Sequence, residues 1–266
     1  MRHPSGEVLP VPVQPGCEAF AFAGGTFDGG NVGALMVHGF TGSPYSMRPW
    51  GEHLAAAGLS VLGPRLPGHG TRWQEMNLTR WQDWYGEIER GFDTLRGTCD
   101  AVFVMGLSMG GTLALRLAEE KGDDLAGVVT VNASLLTLRR DAKVLPYVAK
   151  LVPSVKAIGD DIKKPGTTER AYDRTPLRAA VSLAQLWRLT QADLGRITQP
   201  LLVFRSVEDH IVEPASGALL LSAVGSTDVR EVLLHDSYHV ATLDNDAPLI
   251  FDGSLAFVRA HVGAKA

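Results

Sequence analysis

A chain of 266 residues with a formal net charge of -4, 45% hydrophobic and 20% charged, is long enough for one large α/β domain carrying an insertion. No uninterrupted apolar stretch approaches the roughly 20 residues of a membrane span, and Lys and Arg are scattered rather than gathered into a run, which argues against an integral membrane protein and against a nucleic-acid partner. Cys17 and Cys99 are far apart in the chain and read as two thiols rather than a disulfide, and the proline-broken segment up to Pro15 offers no continuous apolar core for a signal peptide, so a cytoplasmic location is expected.

Glu18 to Ala23 and the glycine-rich Gly24 to Asn31 read as a strand and a turn opening a hairpin. Val32 to His38 is a continuous apolar run, the pattern of a strand covered on both faces inside a mostly parallel sheet. The loop Gly39 to Pro44 leads to a predicted helix over Pro49 to Gly58, with Trp50, Leu54 and Ala57 on one side and Gly58 as its stop. Leu59 to Pro64 is the next strand. A helix through Trp81, Trp84, Ile88 and Phe92 follows the loop Arg65 to Thr71, its aromatic stripe facing the core.

Ala101 to Met105 is another strand, and it runs directly into Gly106-Leu107-Ser108-Met109-Gly110 and then the Ala/Leu-rich helical segment Thr112 to Glu119. Strand, G-x-S-x-G and helix in that order form a nucleophile elbow, in which the glycines permit a sharp, strained turn that lifts the serine hydroxyl out of the sheet. Leu125 to Ala133 is a further buried-type strand. Strands and helices alternate throughout, the signature of a parallel sheet with helices on both faces. Between Ser134 and about Ile197 the rhythm breaks into proline-punctuated apolar sequence, which reads as an inserted cap. Regular order returns with strands at Pro200 to Ser206 and Val229 to Leu234 and a final helix over roughly Leu249 to His261.

A serine hydroxyl is a poor nucleophile at neutral pH, so it needs a base to take its proton and a buried acid to hold that base in one tautomer. Behind a nucleophile elbow the chain order is Ser, then Asp or Glu, then His, with acid and base in the loops after successive late strands. Here Asp209 follows the strand at 200–206 and His239 follows the strand at 229–234, which makes Ser108, Asp209 and His239 the candidate triad. Glu208 is the neighbouring alternative for the acid, whereas Asp244 and Asp246 fall after the histidine, and His235 lies early in its loop. The His235-x3-His239 spacing lacks the third ligand and the Glu-flanked helix that a metal site would need. Two backbone N–H groups are expected to hold the oxyanion: that of Met109, after the nucleophile, and that of Phe40, in the loop after an early strand. His38 and His69 read as structural histidines binding loop backbone.

Taken together, His38-Gly39-Phe40-Thr41-Gly42-Ser43-Pro44, Gly68-His69-Gly70-Thr71, Gly106 to Leu113, Glu208-Asp209-His210 and Ser237 to Asp244 resemble the small bacterial monoacylglycerol lipases and their carboxylesterase relatives, within the α/β-hydrolase superfamily. The match runs almost end to end. The resemblance implies an α/β-hydrolase fold with a mostly parallel central sheet and a small cap over 134–197, the triad Ser108, Asp209 and His239, and oxyanion donors at Phe40 and Met109. Cap segments around Ala157 to Pro165 and Ala171 to Pro176 look similar too. Carried over, they place Ile158 in the wall of an apolar acyl tunnel and Glu169 near glycerol hydroxyls.

The expected activity is hydrolysis of a small acyl ester, a monoacylglycerol foremost, through an acyl-enzyme on Ser108 and without a cofactor. A broader carboxylesterase or thioesterase shares the same triad, because leaving-group choice lives in the cap and the pocket. A ligand receptor that does not turn over is the reading from another class. The apolar cap is also compatible with transient contact with a lipid surface, and the chain with a monomer or a homodimer.

Overall fold

The computed structural model describes residues 11–157 and 159–262. In chain order the elements are β1 (Phe20–Phe22), β2 (Val32–Val37), α1 (Arg48–Ala56), β3 (Ser60–Gly63), α2 (Trp73–Met76), α3 (Trp81–Arg96), β4 (Ala101–Leu107), α4 (Met109–Lys121), β5 (Gly127–Val131), α5 (Leu145–Leu151), β6 (Ser154–Lys156), β7 (Arg174–Pro176), α6 (Leu177–Asp193), β8 (Leu201–Ser206), α7 (Ala215–Ala223), β9 (Val229–Leu234) and α8 (Ala247–His261). Seven strands form one sheet in the order β1-β3-β2-β4-β5-β8-β9, parallel throughout except for β1. This is the mostly parallel sheet with helices on both faces that the alternation of elements predicts, and the α/β-hydrolase fold that the resemblance implies.

Alternation along the central strands sends side chains into two separate cores, which is why their sequences read as unbroken apolar runs. Leu35 and Val37 of β2 join Val102 and Val104 of β4 on one face, under α3, α4 and α6, while Ala34 and Met36 join Phe103 and Met105 on the other, under α1 and α8. Trp84, Ile88 and Phe92 of α3 are buried in the first core, as their spacing predicts, and Trp50 and Leu54 of α1 in the second. Cys17 and Cys99 are buried free thiols. Among the described residues no helix is long and apolar enough to cross a membrane.

Two expectations change. The strand at 18–23 does not open a hairpin with its successor: β1 pairs antiparallel with β3, Phe20 opposite Gly63, and the Gly24 to Asn31 turn closes only on itself through Phe27 and Gly30. The reason is steric. β2 already has β3 and β4 on its two edges, so β1 cannot pair with it and adds instead to the free edge of β3. In the 134–197 stretch the irregular sequence conceals a helix of 17 residues, α6, whose Ala179, Leu183 and Leu186 belong to the same core as α3 and α4. Ahead of it, α5 and the two-stranded β6–β7 ribbon stand apart from the main sheet, with Val155 opposite Thr175.

Candidate active site

Four loops at the carboxyl ends of parallel strands meet over the sheet, the place where open α/β sheets hold ligands. They follow β2, β4, β8 and β9, and carry Phe40, Ser108, Asp209 and His239 respectively. All four residues line one cavity of about 670 Å³, which the 134–197 stretch walls with Leu145, Val148, Val155 and Leu183.

The turn that carries Ser108 is tight enough to dictate its neighbours. Ser108 has φ 55° and ψ -118°, a left-handed conformation that costs a non-glycine residue on the order of 1–3 kcal/mol. Its backbone is pinned on both sides: its N–H donates to the Val131 carbonyl at 2.9 Å, and its carbonyl accepts from Ser134 N–H at 3.3 Å. A Cβ on Gly106 would lie 2.2 Å from the Gly110 carbonyl oxygen, and one on Gly110 would lie 2.0 Å from that of Val37. Both glycines of the motif are therefore required by backbone-to-backbone contact. Helix α4 starts immediately after Ser108, so the Met109 N–H stands in its first turn, where backbone donors lack an intrahelical acceptor and the helix dipole favours negative charge.

The Phe40 N–H, expected as the second oxyanion donor, sits in a peptide that His38 holds. His38 is fully buried, and its Nε2 accepts the Leu66 N–H at 3.2 Å. Its proton is then on Nδ1, which donates to the Gly39 carbonyl at 3.0 Å. That carbonyl and the Phe40 N–H belong to one planar peptide, so fixing the first aims the second. Burial, opposed by the Gly39 hydrogen bond, holds the His38 pKa down to about 4, and burial also holds that of His69 well below its ordinary value, so both stay neutral scaffold. The Phe40 ring meets Trp84 edge-on, 6.0 Å between centroids.

On the opposite side, His239 Nδ1 lies 2.8 Å from Asp209 Oδ2. Asp209 Oδ1 accepts the N–H groups of Ile211 and Val212, each at 2.8 Å. Burial pushes the Asp209 carboxyl up, but the His239 charge, its hydrogen bond and these two backbone donors outweigh it and hold the group below the ordinary carboxylate range. For His239 burial pulls the imidazole down, and the charge and hydrogen bond of Asp209, with Glu169 and Asp161 adding, carry it above 6.5.

The other acids and histidines are engaged elsewhere. Glu208 is exposed and points to His210 Nε2 at 3.5 Å, and His235 is exposed. Buried Asp244 is saturated by backbone, accepting from Lys163 and Tyr238 on Oδ2 and from Lys164 and Asn245 on Oδ1. Glu169 lines the cavity, with its Oε1 receiving the Asp160 N–H at 3.4 Å, and burial raises its pKa despite the nearby His239 charge. Ile158, expected in the tunnel wall, lies outside the described residues.

Sequence reasoning missed two supports. Asn132, at φ 47° just past β5, donates from Nδ2 to the His239 carbonyl at 2.8 Å and to Ser206 Oγ at 2.9 Å, while its Oδ1 accepts the Ser206 N–H at 2.7 Å. A polar residue ending an apolar strand is the only signal it gave. Asp161 receives the N–H groups of His210 and His239, and nothing in the sequence links those positions.

Comparison with known proteins adds an independent line. A family model described as serine aminopeptidase, S33, matches residues 33–246. The chain is 43% identical over 252 residues to a thermostable monoacylglycerol lipase of Bacillus sp. (strain H-257), spanning 95% of this chain and 98% of that protein. It is 24% identical over 234 residues to a carboxylesterase of Bacillus subtilis (strain 168), covering 88% and 94% of the two chains. The solved structure reported with the metagenome-derived lipolytic enzymes LipS and LipT superposes with a TM-score of 0.90 at 40% identity, covering 94% of this chain and 100% of that one.

Proposed function

Because the chain belongs to the α/β-hydrolase family described as serine aminopeptidase, S33, and within it to the monoacylglycerol lipase and carboxylesterase group, we propose that it hydrolyses monoacylglycerols to fatty acid and glycerol with Ser108, Asp209 and His239 as its triad. That it is a carboxylic ester hydrolase follows from the family; the triad and the glyceride are our reading. The observation that carries it is one cavity in which Ser108, Phe40 and His239 meet a carboxylate, Glu169, and to which Leu145, Val148, Val155, Leu177 and Leu183 give an aliphatic wall. At about 670 Å³ it falls in the range of sites that enclose a small-molecule ligand.

In this mechanism Ser108 Oγ attacks the ester carbonyl as its proton passes to His239 Nε2, and the carbonyl electron pair moves onto an oxygen held by the N–H groups of Phe40 and Met109. Collapse breaks the bond to glycerol, which leaves with the proton from His239. Water, deprotonated by the same imidazole, then attacks the acyl-enzyme and releases the fatty acid, restoring Ser108. Glu169 accepts from glycerol hydroxyls, and the aliphatic wall takes the acyl chain.

The outer face of the insertion supports a transient contact with lipid surfaces that present the substrate. Leu151 and Tyr147 of α5 are 87% and 71% exposed, and Lys150 lies over the Tyr147 ring. Co-sedimentation with phosphatidylglycerol vesicles, lost in Leu151→Glu, checks this part.

The test of the reaction is glycerol release from monoacylglycerols of increasing chain length beside matched methyl esters. Clear preference for the glycerides is expected, with turnover abolished in a folded Ser108→Ala variant. Equal rates on methyl esters would reduce the protein to a general carboxylesterase, and an active Ser108→Ala would sink the triad.

A further inference from the structure

One side chain of the 134–197 stretch reaches the two loops that carry the acid and the base. Asp161 is only 10% exposed at its side chain. Its Oδ2 accepts two backbone N–H groups, those of His210 and His239, each at 3.2 Å. Its Oδ1 stands 2.7 Å from His210 Nδ1, and its own carbonyl accepts the Val240 N–H at 3.1 Å. His210 follows Asp209 directly, so a single residue binds backbone beside the acid, backbone of the base and backbone just beyond it.

We propose that Asp161 is a positioning residue for the triad: carboxylate and carbonyl together fix the loops after β8 and β9, so that the His239 ring is held with Nδ1 on Asp209 and Nε2 free for Ser108. The inference rests on the triad reading above. A buried carboxylate that accepts backbone N–H groups forms charge-assisted hydrogen bonds, which suits this clamping role. Its neighbour does the corresponding work on the substrate side. Asp160, at φ 54°, accepts the Glu169 N–H at 2.7 Å and donates its own N–H to Glu169 Oε1. Consecutive residues thus brace Glu169, the carboxylate proposed to meet the glycerol, and the catalytic base, so the insertion is built into the catalytic centre and is not merely a cover over it.

The charge of Asp161 also bears on His239. The acidic groups acting on that imidazole are Asp209, Glu169 and Asp161. Asp161 itself faces His210, whose other nitrogen faces Glu208 and whose ring meets Tyr238, while Lys163 near Tyr238 is paired with Asp236. Asp161→Asn keeps an oxygen to accept the N–H groups and removes the charge; Asp161→Ala removes both.

The experiment measures kcat and KM for p-nitrophenyl acetate and the pH dependence of kcat/KM for the parent, Asp161→Asn, Asp161→Ala and Ser108→Ala, with thermal unfolding of each. In Asp161→Ala kcat is expected to fall on the order of 10- to 100-fold at nearly constant KM, the scale of a misplaced catalytic group. In Asp161→Asn much of kcat is retained, and the acid limb moves to lower pH by roughly half a unit or more, as loss of a nearby negative charge requires. The proposal is overturned if both variants keep kcat within about twofold and leave the acid limb in place, or if Asp161→Ala loses activity only as its folded fraction falls, with an unchanged pH profile. Failure of the triad reading looks different, because it leaves Ser108→Ala active.

Discussion

His239 Nδ1 and Asp209 Oδ2 stand 2.8 Å apart with both side chains only 8% exposed, so the imidazole has one tautomer available and its Nε2 is left as the base. In the proposed triad turnover needs that nitrogen unprotonated, and the surrounding carboxylates hold the His239 pKa above 6.5. The acid limb of kcat/KM, which reports the free enzyme, is therefore expected above pH 6.5: activity is lost as pH falls through the raised value and gained as pH rises through it. Asp209→Asn removes the charge and the tautomer preference together. We expect kcat to fall on the order of 10⁴-fold with the fold intact, the scale seen when a triad aspartate becomes an amide. A pH profile with its midpoint below 6 in the parent would contradict this account of the site.

The strain at Ser108 gives a stability prediction. At φ 55° and ψ -118° the serine backbone is unfavourable for any residue with a Cβ, whereas glycine reaches it at no steric cost. Ser108→Gly is expected to be inactive and yet more stable by about 1 kcal/mol, net of the added unfolded-state entropy of glycine. Thermal denaturation checks it: the melting temperature should rise by roughly 2–4 °C for a chain of this size. A fall would mean that the Ser108 side chain stabilises the turn.

What was legible in the sequence was local or ordered along the chain. Runs such as Val32 to His38 announce strands because both faces of a central parallel strand are buried, and the elbow announces itself because backbone contact leaves room only for glycine at both Gly106 and Gly110. Asp209 and His239 could be paired as candidates from their order after two late strands, and the structure brings them within 2.8 Å. Asp161 could not, since its partners His210 and His239 are 49 and 78 residues away and are engaged through backbone N–H groups that any residue type supplies. The partner of β1 was misjudged for a related reason: turn chemistry between 24 and 31 is visible locally, but which sheet edge is open depends on every other strand. Helix α6 was hidden because proline and glycine upstream suggested irregularity, although its own residues 177–193 contain neither.

His38 offers a way to test the oxyanion loop without touching the triad. With Nε2 accepting from Leu66 and Nδ1 donating to the Gly39 carbonyl, it orients the peptide that presents the Phe40 N–H. In His38→Ala the Leu66 N–H loses its buried partner, so stability should fall by about 1–3 kcal/mol. Turnover should fall further than stability explains. Removal of an oxyanion donor costs roughly 10²–10³-fold in kcat, and a loosened donor is expected to give at least tenfold, with KM nearly unchanged. Because burial holds His38 neutral, with a pKa of about 4, the profile between pH 6 and 8 should keep its shape in this variant. An altered acid limb in that range would show that His38 exchanges protons with the site.

Glu169 is the residue at which the glyceride reading can be tested against a general esterase. It is a carboxylate of the cavity outside the proposed triad, and burial raises its pKa while the positive charge of His239 opposes that rise. Glycerol leaves two free hydroxyls on a monoacylglycerol, a methyl ester leaves none, and hydrogen bonds to a charged acceptor are worth about 1.5–3 kcal/mol. Glu169→Gln keeps the size and an acceptor oxygen but not the charge. The expected result is a drop of about tenfold or more in kcat/KM for monoacylglycerols, with methyl esters of the same acid changed by less than about threefold. The acid limb should also move to lower pH in both substrate series, because Glu169 is one of the groups that raise His239. Equal losses on both esters would assign Glu169 to the electrostatics of the base alone, and the glyceride preference would have to come from another part of the insertion.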